Sequence, residues 1–69
     1  MALQYTYWPA KEGGYIGYWN DYPDYLTEGD SLDQLRLMLR GLREGINAMI
    51  AAGEIPSAAS RRSGVMELA

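Results

Sequence analysis

A small α+β domain is what the sequence predicts: a three-stranded antiparallel sheet followed by one long helix. Three observations carry this expectation. All eight aromatics (six Tyr, two Trp) fall in the first 25 positions, where apolar residues alternate with the period of a strand. Aliphatic residues from Leu32 to Ile50 recur at helical spacing. Gly and Pro punctuate the boundaries between these segments.

Leu3 to Trp8 reads as the first strand, with Leu3, Tyr5 and Tyr7 on one face and Gln4, Thr6 and Trp8 on the other. Pro9 ends it, because proline cannot continue a ladder. Lys11-Glu12-Gly13-Gly14 is a turn, and Tyr15 to Trp19 is the returning strand, so the two form a hairpin. Gly17 inside that strand suggests a bulge or a close backbone approach. Asn20 to Asp24 turns around Pro23, Tyr25-Leu26-Thr27 is a short third strand, and Gly29 breaks the chain.

The helix is expected over about 31–52. Ser31 is a good N-cap, and Gln34 three residues on completes a capping-box pattern. Asp30 and Asp33 sit where the helix dipole favours negative charge. Leu32, Leu35, Leu39, Leu42, Ile46, Met49 and Ile50 form one apolar stripe, and Gly53 with Pro56 beyond it marks the end. Arg36, Arg40 and Arg43 share a flank of that stripe and read as a solvated basic face. Nearly opposite the core lie Leu37, Gly41, Gly45, Ala48 and Ala52. Each interior glycine costs about 1 kcal/mol relative to Ala, so close approach of a second helix is one reason to keep them. Leu37, Gly41, Gly45 and Ala48 are therefore candidates for self-association, together with the open sheet edge. Residues 56–69 read as a tail that is mobile or adds a short fourth strand at Val65 to Leu68.

With 69 residues there is room for one domain. A chain of this size buries only about 60% of its unfolded surface, and without disulfide or metal its core is marginal. Oligomerisation or a partner is the expected compensation. No Cys or His is present, which removes disulfides, Cys- or His-ligated metal and imidazole chemistry. No apolar run reaches membrane-spanning length, and the N-terminus lacks a signal-peptide layout, so a cytoplasmic location is expected. The net charge of −3 divides unevenly, at −5 over residues 1–35 and +2 over 36–69. The acidic, aromatic half argues against a nucleic-acid platform, because phosphates repel carboxylates.

The carboxylates Asp21, Asp24, Glu28, Asp30 and Asp33 are the candidates for catalysis. Turn formation and helix capping already explain most of them, so no enzyme activity and no cofactor are expected. Gly13-Gly14 is no phosphate loop, since no Lys-Ser/Thr follows it. Protein binding fits best. Tyr and Trp exceed what one small core absorbs, and both faces of the hairpin carry them, whereas a sheet covered on one side is normally polar on the other.

Gly13-Gly14-Tyr15, then Asp21-Tyr22-Pro23-Asp24-Tyr25, then Thr27-Glu28-Gly29-Asp30-Ser31, then a Leu-rich helix, resembles the N-terminal domain of the HicB-like antitoxin family. The likeness covers about residues 3–55, and domain boundaries of 1–55 and 56–69 follow from it. Asp24-Tyr25 stands where the family pattern has Gly-Cys. The resemblance implies a reduced ribonuclease H-like β-β-β-α core, often with a final strand, and no nuclease activity. It also implies an oligomeric antitoxin of a bacterial or archaeal toxin–antitoxin system, occluding a small basic mRNA-cleaving toxin of the HicA kind. The family's C-terminal DNA-binding domain has no counterpart in these residues. The matched positions Gly13, Gly14, Tyr15, Pro23, Thr27, Gly29, Asp30 and Ser31 read as fold-forming. Trp8, Trp19, Asp21, Tyr22 and Asp24 are the expected partner contacts. The alternative is an orphan oligomeric domain of the same type that binds another protein or a small ligand.

Overall fold

The computed structural model describes residues 2–68. Strands β1 (Tyr5–Pro9), β2 (Tyr15–Trp19) and β3 (Thr27–Gly29) are followed by helix α1 (Leu32–Ala51) and a short 3₁₀ turn at Ala58–Ser60. The sheet is an antiparallel meander in the order β1-β2-β3. The expected strand–strand–strand–helix order is therefore present.

The register runs unbroken from Tyr5↔Trp19 to Pro9↔Tyr15, so Gly17 sits in no bulge. The close approach expected there is real. A Cβ on Gly17 would stand 3.4 Å from the Leu35 side chain and 3.0 Å from the Thr6 carbonyl. Alternation then fixes the two faces. Tyr5, Tyr7, Tyr15, Gly17, Trp19, Thr27 and Gly29 face the helix, while Thr6, Trp8, Ile16, Tyr18 and Glu28 face away.

Two strand boundaries differ from the sequence reading. β1 starts at Tyr5 rather than Leu3, and Pro9 belongs to it as the last residue, paired with Tyr15. Pro9 occupies a position whose backbone points to the open edge, so the ladder loses no bond there. β3 is Thr27–Gly29, two residues later than expected. The Tyr25 amide is spent closing the turn, donating to the Tyr22 carbonyl at 3.3 Å. Gly29, expected to break the chain, pairs with Tyr15 instead. A Cβ at Gly29 would lie 2.5 Å from the Leu35 nitrogen, so only glycine lets the first helical turn lie against the strand.

The helix matches its local signals. The Ser31 side chain accepts from the Gln34 amide at 3.1 Å. The Gln34 side chain reaches back to the Asp30 amide, one residue before the position a standard capping box uses. At the other end Gly53 adopts φ +76°, and the Glu54 and Gly53 amides donate to the Met49 and Ile50 carbonyls, a Schellman closure. Leu35, Leu39 and Ile46 are at most 1% exposed and form the core with Tyr22 at 3%. Full burial of one such aliphatic side chain contributes about 1.5–3 kcal/mol, so this core is thin. Val65 to Leu68 form no strand and lie in solvent.

Candidate interaction surfaces

The five expected partner contacts do not form one surface. Trp19 faces the helix. Its indole Nε1–H donates to the Leu39 carbonyl at 2.8 Å, and the Arg43 guanidinium lies 5.6 Å from its ring centroid. Arg43 Nη1 donates to both carboxylate oxygens of Asp21, at 2.8 and 2.9 Å. This is the one ion pair among the described residues. Tyr22 is buried, its hydroxyl donating to the Pro56 carbonyl at 3.1 Å, with Arg43 and Arg61 stacked on its ring at 5.6 and 4.8 Å. The Arg61 guanidinium also donates to the Asp21 carbonyl.

Trp19, Asp21 and Tyr22 thus tie the end of β2 to α1 and to the segment after it. Their polar groups are satisfied inside the chain, and buried Tyr22 has almost no surface to offer a partner. The signal against Trp19 is present in the strand period, which sets it with Tyr15 on the side of Tyr5. Asp24 is exposed in the turn after Pro23.

Trp8 belongs to the other face, where its ring packs on Tyr18 at 6.0 Å in a T-shaped pair. Ile16 and Leu26 extend this patch. Trp8 remains 38% exposed and Leu26 58%, with no layer covering them. One shallow groove on this face is lined by Ile16, Leu26, Thr27 and Glu28, and a second by Ala10 to Gly13 with Ile16 and Glu28. Aromatic and aliphatic groups therefore sit at the centre, with Glu28 and Glu12 at the border and Lys11 the one cation in the hairpin turn. Tyr18, Ile16, Leu26 and Glu28 were not among the expected contacts, although the alternation of Tyr15–Trp19 already places Tyr18 and Ile16 beside Trp8.

The fold-forming positions lie where turns and caps need them. Gly13 and Gly14 have φ of +105° and +73° in the hairpin turn, which is closed by the Ala10 amide donating to the Gly14 carbonyl at 2.9 Å. Pro23 occupies the second position of the turn from Tyr22 to Tyr25. Glu12, Glu28 and Asp30 line a cleft at the start of α1 with Tyr15, Gln34 and Met38. Among the described residues no group of three or more acidic side chains is arranged to hold a metal ion.

On the helix, Leu37, Gly41, Gly45 and Ala48 are all exposed. A Cβ at Gly41 or Gly45 would meet nothing within 4 Å, so no contact inside the chain requires glycine there. The arginine flank is divided in use. Arg43 serves the Asp21 pair. Arg36 Nε donates to the Tyr5 hydroxyl at 3.1 Å, and this bond is the chief cause of a guanidinium pKa raised above its ordinary value. Arg40 makes no hydrogen bond or ion pair among the described residues.

No family model, no curated protein and no solved structure matches the chain. No helix among the described residues is long and apolar enough to cross a membrane.

Proposed function

We propose that this chain is a non-catalytic protein-binding domain of the HicB-like type, a reduced ribonuclease H-like antitoxin that occludes a small basic mRNA-cleaving toxin in the cytoplasm. One observation supports this reading above the others. A two-layer domain covers one face of its sheet with α1 and leaves the other, Trp8–Tyr18–Ile16–Leu26, bare and aromatic. Tyr and Trp carry much of the energy at protein interfaces, because they exclude water over a large area at small entropic cost. The carboxylates of Glu28 and Glu12 at the border suit a basic partner and would speed encounter with it.

The contact set differs from the one the sequence suggests. Trp8 is kept and is joined by Ile16, Tyr18, Leu26 and Glu28, while Trp19, Asp21 and Tyr22 are engaged within the chain and exposed Asp24 is left outside the set. The test is reconstitution. Tagged chain captures its partner from native cells, the partner is purified alone, and its cleavage of RNA is followed as the chain is added back. Cleavage should stop at stoichiometric chain, and Trp8→Ala combined with Glu28→Lys should restore it. A partner without RNA cleavage, or inhibition that survives both substitutions, would overturn the reading.

A further inference from the structure

The register shows which backbone groups of β1 are free. The Asn20 amide donates to the Gln4 carbonyl and the Ala10 amide to the Gly14 carbonyl, at 3.1 and 2.9 Å. In an antiparallel ladder such bonded pairs recur every second residue, so Thr6 and Trp8 also turn their backbone toward β2. Tyr5, Tyr7 and Pro9 turn theirs outward. The open edge therefore presents amides at Tyr5 and Tyr7 and carbonyls at all three, since Pro9 has no N–H to offer.

Beside this edge runs a groove lined by Leu3, Tyr5, Trp19, Arg36, Leu39 and Arg40. Leu3, Leu39 and the Tyr5 and Trp19 rings give it apolar lining, and its helix wall carries two arginines, in a chain whose net charge is −3. Elsewhere the structure holds a segment of complementary chemistry. Val65, Met66 and Leu68 are 101%, 81% and 86% exposed, and Glu67 between them is exposed as well. Three apolar side chains stand in water in a chain that buries only four hydrophobic residues among those described. The Cα radius of gyration is 14.2 Å, against about 11 Å for a compact chain of this length.

We propose that Val65–Leu68 of a second copy adds as a strand to the β1 edge, reciprocally, so that the protein forms a strand-exchanged dimer. Main-chain bonds to Tyr5 and Tyr7 supply the pairing. Period-two alternation puts Val65 and Glu67 on one face, and charge complementarity assigns that face to the helix side, with the Glu67 carboxylate at Arg36 and Arg40. Met66 and Leu68 fall on the outer side, where they extend the Trp8–Tyr18 patch. The proposal concerns an edge rather than the sheet face, and it stands whether or not a toxin is the partner.

The test is the mass of the 69-residue chain by light scattering across the micromolar range. Twice the 7.7 kDa chain mass is expected. Glu67→Arg and Arg40→Glu should each raise the dimer dissociation constant about tenfold or more, and the double variant should recover much of the loss. Both side chains are exposed, so folding survives either change, and circular dichroism checks it. A monomer at every concentration overturns the proposal. So does a dimer indifferent to Glu67→Arg and Leu68→Asp, which would place the interface elsewhere. A monomer whose 65–68 amides resist hydrogen exchange also overturns it, because the segment would then pair within its own chain.

Discussion

Replacing Gly29 by Ala and replacing Gly41 by Ala add the same methyl group, and the structure predicts opposite outcomes. At Gly29 the new Cβ would lie 2.5 Å from the Leu35 nitrogen, 2.8 Å from the Leu35 Cα and 2.9 Å from the Gln34 carbonyl carbon. All three are backbone atoms of the first helical turns, so no rotamer change relieves the contact. The opposite side gives no room either, because a Cβ on Gly14 would already be 2.6 Å from the Gly29 oxygen. Ordinary contact begins near 3.4 Å, so the helix start must retreat by roughly 1 Å, drawing the wholly buried Leu35 with it. Overpacking of this kind costs about 1–3 kcal/mol, and partial loss of the Leu35 burial brings the total to about 2–4 kcal/mol. A domain of this size holds only about 3–10 kcal/mol in all, and Tm should fall by about 8–30 °C. At Gly41 nothing lies within 4 Å, and the gain in helix propensity of about 1 kcal/mol should raise Tm by about 4–8 °C. Thermal and urea unfolding followed by circular dichroism measure both. A Gly29→Ala protein that loses less than about 0.5 kcal/mol would refute the close approach of β3 and α1. A Gly41→Ala protein that loses stability would show that this stripe is occupied.

Other predictions follow from individual contacts. Ser31→Ala removes the side-chain bond to the Gln34 amide and should cost about 1 kcal/mol in urea unfolding, while Ser31→Asp should retain most of it. Trp19→Phe keeps most of the ring but leaves the Leu39 carbonyl without its indole donor, and should cost about 1 kcal/mol or somewhat more. Asp21→Asn should lower stability, and the difference from the parent should shrink in molar salt, because the Arg43 pair is partly open to solvent. Trp8→Ala should lower Tm by about 4–8 °C through loss of the Tyr18 ring pair, and weaken partner binding far more strongly.

The helix was legible in full because its determinants are local. Ser31, Gln34, the aliphatic stripe and Gly53 all lie within or beside it and act over at most four residues. β3 was displaced by two residues because its determinant is not local. Gly29 is glycine on account of Leu35, and no pattern within 25–30 announces the crossing of a helix. The same holds for Trp19, whose indole is committed to a carbonyl twenty residues away. Residue type alone marked it as an interface residue, while the period of β2 assigned it to the covered face. Trp8 and Tyr18 were recognisable as the bare face from alternation, but Leu26 and Glu28 join them only once β3 is in register with β2. The three arginines share one flank in sequence, and the structure commits Arg43 to Asp21 and Arg36 to Tyr5 while Arg40 makes no hydrogen bond or ion pair among the described residues.

An amide and indole NMR titration of the chain with its purified partner locates the face that binds. Signals of Trp8, Ile16, Tyr18, Leu26 and Glu28 should shift on binding, while the Trp19 indole, held on Leu39, stays in place. Shifts centred on Gly41 and Gly45, or at Trp19 and Tyr22, with the Trp8 face unmoved, would contradict it.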